Sequence, residues 1–221
     1  MHLTVIGATG GIGRQVVDQA RTAGHTVRAA VRNPANLHRE LPAVTVDLGD
    51  ADPKALRLAV QGSDAVISSL GPRARHEYGI VARGTEAIIA AMLDTGSRRI
   101  VTVSAAGVST VRTPNRPHPP KRERGAGWYN RYLATPLVRR ALGSHFVDLA
   151  MMEELLRASG LDWTAVRPPY LTDTPMTGRY RTALERNVRR GIRISRADVA
   201  HFILSTLEQP ATVGKAIAVA Y

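Results

Sequence analysis

The stretch that most constrains this chain lies at its start. Leu3-Thr4-Val5-Ile6 is a short run rich in β-branched residues, and Gly7-Ala8-Thr9-Gly10-Gly11-Ile12-Gly13 follows at once. An amphipathic helical pattern begins inside the glycines, with Val16, Val17 and Ala20 as its inward stripe. A strand, a tight turn and a helix N-terminus are written this way. Glycine at Gly7, Gly10 and Gly13 lets the turn close, lets backbone approach a bound group, and lets the helix pack against the strand. The first turn of such a helix carries N–H groups without intrahelical acceptors, together with the positive end of the helix dipole, so it faces an anion. The spacing is G-x-x-G-x-x-G and not the plain G-x-G-x-x-G fingerprint. Glycines alone are a weak signal; after a strand, opening a helix and starting a long βαβ series, they are a strong one. The expected ligand is the pyrophosphate of a dinucleotide, held around Gly7, Thr9, Gly10, Gly11, Ile12 and Gly13.

The rest of the chain extends that unit. Strands are expected at Thr26–Val31, Val44–Val46, Ala65–Ser69 and Ile100–Ser104, alternating with helices from Ile12 to Ala23, from Pro53, and over Tyr78–Leu93. Asp52-Pro53 is an N-cap followed by proline at the first helical position, and Gly24 and Gly96 stand where helix C-termini end. Short loops, strict alternation and strands apolar on both faces predict a mostly parallel, doubly wound α/β sheet covered by helices on each side. Between Ser109 and Gly127 the regularity breaks at four prolines and a basic run, Lys121-Arg122-Glu123-Arg124. An irregular insertion is expected there, as a lid, an anion contact or a solvated loop. Helices resume at Trp128–Ala141 and Ser144–Ala158, then a strand at Asp162–Val166 and a helix after Ser195-Arg196-Ala197-Asp198, a capping box. Lys215–Ala220 is the last strand, and the residues after Tyr170 read as a small cap on one domain of residues 1–221.

Composition narrows the class. The 221 residues contain no cysteine, which excludes disulfides and thiolate nucleophiles or metal ligands. The seven histidines show no metal-ligand spacing. No apolar run approaches the roughly 20 residues of a membrane span, and no basic leader precedes the first strand, so a cytoplasmic protein is expected. The net charge of +12 comes almost wholly from arginine, with lysine only at Lys54, Lys121 and Lys215. Such charge suits a polyanion-binding surface or a compositional bias joined to an anionic-cofactor site. The scatter of the arginines favours the second, so nucleic acid is not an expected partner.

Strand ends supply the remaining candidates, because open parallel sheets bind ligands at their carboxyl ends near the point where strand order reverses. A carboxylate ending the second strand would hold the ribose hydroxyls of NAD, whereas arginine accommodates the 2′-phosphate of NADP. Arg32 occupies that position, and Arg14 could reach the same phosphate, so NADP(H) is favoured over NAD(H). Asp47 and Leu48 end the third strand, where the pair would flank the adenine; Asp47 also reads as an ordinary turn residue. Ser69, Leu70 and Gly71 end the fourth strand. Ser104 ends the fifth, where it would bond the nicotinamide or a substrate carbonyl, or else satisfy the following turn. No G-x-S-x-G elbow accompanies any serine, which argues against a hydrolase.

Gly7-Ala8-Thr9-Gly10-Gly11-Ile12-Gly13, Val31-Arg32, Asp64-Ala65-Val66-Ile67 and Val103-Ser104-Ala105 together resemble the short-chain dehydrogenase/reductase superfamily, in its atypical NAD(P)-binding, NmrA-like branch. Met152 to Leu161, Val166-Arg167-Pro168-Pro169, Pro175 to Tyr180 and Ile194 to Asp198 with His201-Phe202 are similar to its flavin reductase (biliverdin-IXβ reductase) group. The resemblance spans nearly the whole chain outside about 109–141. It implies a seven- or eight-stranded Rossmann sheet, NADPH as hydride donor, a permissive pocket for planar acceptors, and Ser104 as the active-site serine. Two departures stand out. The superfamily's Tyr-x-x-x-Lys pair is missing, since Tyr129 is followed at that spacing by Leu133 and Tyr132 by Pro136. The histidine that follows the double proline in that group is here Tyr170, which would stack on an acceptor ring, donate a proton, or only pack.

Alcohol–ketone chemistry needs a placed acid for the developing alkoxide. Hydride transfer to a flavin, quinone or enone spreads charge over a ring system that solvent can protonate. The sequence therefore points to an NADPH-dependent reductase of small planar acceptors, with flavin as substrate, or to a dinucleotide-binding sensor that keeps the cofactor fold without turnover. The oligomeric state is left open.

Overall fold

In the structure, a computed structural model that describes residues 1–72, 74–121 and 135–221 (backbone alone at 75 and 135–142), β1 (His2–Ile6) lies between two parallel neighbours. On one side it pairs with β2 (Thr26–Val31), which carries β3 (Ala43–Thr45) beyond it. On the other it pairs with β4 (Ala65–Ser68), followed by β5 (Arg99–Val103), β6 (Asp162–Arg167), β10 (Lys215–Ala220) and β8 (Arg181–Leu184). Strand order is thus β3-β2-β1-β4-β5-β6-β10-β8, parallel throughout except for β8, which runs antiparallel to β10. Order reverses between β1 and β4, and a crevice opens there at the carboxyl ends.

Period-two alternation divides the core between the two faces of the sheet. Leu3, Val5, Ile67, Val101 and Val166 pack under α1 (Gly11–Thr22) and α5 (Arg196–Ser205), through Val16, Val17, Val199 and Ile203. Ile6, Val66, Ile100 and Ala165 face the other way. They meet Leu56 and Val60 of α2 (Pro53–Val60), Ile88 and Met92 of α3 (Ile80–Thr95), and Met152 and Leu156 of α4 (Thr135–Ala158). The expected Asp52 cap is present, its carboxylate accepting from the Lys54 N–H at 2.9 Å.

Two expectations need correction. Ser144 does not start a helix, because α4 runs unbroken through Gly143; a lone glycine costs about 1 kcal/mol relative to alanine, too little to end a packed helix. The part of the expected helix from Trp128 to Ala134 lies outside the described residues. The residues after Tyr170 build onto the same sheet: β8 joins its edge, while β7 (Tyr170–Thr172) and β9 (Arg193–Ser195) form a parallel two-stranded ribbon. The Pro-rich insertion begins as packed chain. Val111 and Thr113 are buried, and the Thr113 hydroxyl donates to Glu154 at 2.6 Å. Arg122 to Gly127 lie outside the described residues.

One carboxylate supports α3 from another helix. The N-cap of α3 is Gly79, with a φ of 93° and no side chain to offer. Buried Asp148 of α4 instead accepts the N–H groups of Gly79, Val81 and Ala82 at 2.9, 3.1 and 2.7 Å. Asp148→Ala should therefore cost about 3 kcal/mol, since it leaves three N–H groups with poor alternatives. Urea unfolding should show a lower midpoint with an unchanged m-value.

Candidate dinucleotide site

The reversal between β1 and β4 holds a cleft of about 420 Å³. Its floor is the glycine turn. Gly7 has a φ of 78°, a left-handed conformation that favours glycine, and its carbonyl accepts the Gly10 N–H at 2.9 Å. Gly10 is the N-cap of α1, with no capping side chain and no acidic residue in the first turn. The helix start is thus free to meet an anion with main-chain N–H groups. Gly7, Thr9, Gly10, Gly11 and Ile12 line the cleft, as do Ser69, Leu70 and Gly71 at the end of β4. The Ser69 hydroxyl is turned to the carbonyls of Ile6 and Gly7, both at 3.2 Å, so it ties the two strand ends together.

Arg32 and Leu48 form the far wall with Ala30, Val31 and Val46. Leu48 and Leu70 both press toward Gly84 of α3, where an added Cβ would stand 3.3 Å from Leu48 Cβ and 2.8 Å from Leu70 Cδ2. This apolar wall suits an adenine, and the arginine beside it suits a ribose phosphate. The Arg32 guanidinium donates to Glu77 at 2.7 Å, and Glu77 also lines the cleft. An anion at Arg32 would have to share it with this carboxylate.

Five of the expected site residues stand elsewhere. Gly13 lies behind the turn, where an added Cβ would fall 2.2 Å from the Gly7 carbonyl oxygen, so its role is helix packing. Arg14 is exposed and does not line the cleft. Asp47 is exposed and accepts the Gly49 N–H at 2.9 Å, the ordinary turn role. Tyr170 is 74% exposed. Adjacent residues of a strand face opposite sides, and it is Leu171 that meets the cleft.

Ser104 is 5% exposed, outside the cleft wall, and its hydroxyl donates to Glu153 at 2.8 Å. Glu153 also accepts from the Arg167 Nε at 2.8 Å and from a second Arg167 nitrogen, and Arg157 approaches at 3.2 Å. Burial pushes the Glu153 carboxyl up, but Arg167, Arg157 and the Ser104 hydroxyl outweigh it and hold the group below the usual carboxylate range.

Sequence reasoning did not assign this buried pair, although a signal existed. Glu153 sits on the inward stripe of Leu149, Met152 and Leu156, and Arg167 ends β6 directly after buried Ala165 and Val166. Arg196 was read only as part of a capping box. That box is present, with the Ser195 Oγ accepting the Asp198 N–H at 2.9 Å. The arginine itself lines the cleft beside Gly11.

Among the described residues, no three of His, Asp and Glu form a group that could hold a metal ion, and no helix is long and apolar enough to cross a membrane.

Known proteins are similar to this chain over nearly its whole length. An uncharacterised sugar epimerase of Bacillus subtilis (YhfK) is 28% identical over 225 residues, covering 98% of this chain and 92% of its own. A candidate NADH-flavin reductase from Streptococcus pneumoniae superposes with a TM-score of 0.75 at 24% identity, covering 100% of this chain and 99% of that one. A short-chain dehydrogenase/reductase from Veillonella parvula in complex with NADP gives 0.73 at 19% identity, covering 100% and 94%. At these identities the two structures establish the shared Rossmann fold. The profile of the NAD(P)H-binding family spans residues 7–210, from the glycine turn to the last helical turns before β10, and the chain belongs to that family.

Proposed function

We propose that this protein is an NADPH-dependent reductase that passes a hydride to a flavin-, quinone- or enone-like planar acceptor. The observation that carries the reading is the cleft at the strand-order reversal, with a glycine turn at one end and Arg32 on its wall. The reduced nicotinamide, when bound, supplies the hydride. The chain would bind the pyrophosphate at the start of α1, hold the adenine against Leu48 and Leu70, and meet a 2′-phosphate with Arg32. The missing Tyr-x-x-x-Lys pair favours acceptors whose reduced form needs no placed acid. The streptococcal neighbour supports a flavin-type acceptor. Mixing the protein with NADPH and FMN, then with a quinone, and following loss of nicotinamide absorbance tests the reading.

Arg32→Ala should weaken NADPH binding about tenfold or more while changing NADH affinity little, because one charge-assisted contact is lost from the phosphate alone. Titration with both dinucleotides checks this, and unchanged NADPH affinity would remove Arg32 as the selector.

A non-catalytic NAD(P)-binding sensor is the second reading. It draws support from Ser104, whose hydroxyl is committed to Glu153, and from Tyr170, which faces solvent. Tight binding with no turnover across a broad acceptor panel would favour it.

A further inference from the structure

We propose that Arg196 is a clamp for the pyrophosphate, reaching across the glycine turn from the start of α5; this rests on the dinucleotide reading above. Arg196 is the first residue of α5, fixed by the Ser195 cap. Its side chain lies across Gly11, close enough that an added Cβ there would stand 2.6 Å from the arginine Cδ and 2.8 Å from Nε. Gly11 is glycine, on this view, for the arginine as well as for the nucleotide. The guanidinium therefore lines the same cleft as the first turn of α1. That turn offers an anion main-chain N–H groups and carries no side-chain cap. A phosphate diester there would also receive the planar, always-charged fork of Arg196.

The partner Arg196 holds in the structure is easily exchanged. Its guanidinium donates to Asp173 at 2.7 Å, and the Asp173 side chain is 85% exposed. An ion pair this open to water contributes little and is screened by salt. A diester anion seated on the glycine turn would compete well for the guanidinium. Asp173 follows β7 directly, so the exchange would also release the chain beside the cleft.

The test is a titration of the full chain with NADPH and with NADH, read by nicotinamide fluorescence or calorimetry. R196Q should weaken both dinucleotides in parallel, by about tenfold or more. Parallel loss separates this residue from Arg32, which acts on the 2′-phosphate alone. R196K, which keeps the charge and loses the fork, should fall between wild type and R196Q, and it carries the same test if R196Q folds poorly. D173N should bind at least as tightly as wild type. Wild-type affinity in R196Q overturns the clamp and leaves the dinucleotide reading standing. Equal losses in D173N and R196Q would also overturn it, since the pair would then serve only to hold the cap. No binding by the wild type overturns both readings.

Discussion

Gly13→Ala is expected to abolish dinucleotide binding and to lower stability by about 3 kcal/mol or more. The added Cβ would stand 2.2 Å from the Gly7 carbonyl oxygen, 2.8 Å from the Gly7 carbonyl carbon and 2.8 Å from the Ser69 Oγ. Two of these are backbone atoms at the centre of the turn and cannot swing aside as a long side chain would. The Gly7 carbonyl also accepts the Gly10 N–H and the Ser69 hydroxyl, so pushing it away breaks the bonds that shape the turn. Close approach is thus the whole reason for this glycine. Gly71 is the control: it also lines the cleft, but its Cβ position meets nothing within 4 Å, so Gly71→Ala should fold normally. Thermal unfolding by circular dichroism and a dinucleotide titration would read both effects.

The second large effect is expected at Glu153. Its side chain is 1% exposed and that of Arg167 is 3% exposed, so Glu153→Ala takes the counter-charge from a buried guanidinium and should cost about 3 to 5 kcal/mol. For a domain of this size, that corresponds to a fall of roughly 6 to 20 °C in Tm. Replacing both partners by apolar residues of similar volume should recover much of the loss, because the penalty lies in a buried charge that has lost its counter-charge.

The same carboxylate sets a pH dependence. Its pKa is lower folded than unfolded, so its contribution is fully present above the ordinary carboxylate range and is lost as pH falls through the lowered native value. Asp198 adds in the same direction. Burial raises its pKa, but hydrogen bonds from Tyr221, Gly178 and Thr177 lower it further. Wild-type stability should therefore fall in acid, and Glu153→Ala should flatten part of that fall in unfolding curves taken across acidic pH.

Much of the parallel sheet was legible because each strand from Leu3 to Val166 is a short apolar run bounded by turn residues, a local signal. The glycine turn was legible for the same reason, and Arg32 because strand ends have defined places in this topology. The ribbon of β7 and β9 was not legible, since Tyr170–Thr172 and Arg193–Ser195 are too short to show a period and pair only through the tertiary fold. Ser104 illustrates a different failure. Its position at the end of β5 was read correctly, but its orientation depends on Glu153, which lies 49 residues away in sequence. Arg196 was hidden behind its own cap, because Ser195 and Asp198 explained the motif fully without it.

The reductase reading meets its sharpest trial in the rate of NADPH oxidation with FMN or a quinone as acceptor. It predicts oxidation that requires both protein and acceptor, runs more slowly with NADH at the same low concentration, and disappears in Gly13→Ala. Tight NADPH binding with no oxidation across the acceptor panel would contradict it, and would leave a protein that holds the dinucleotide without spending its hydride.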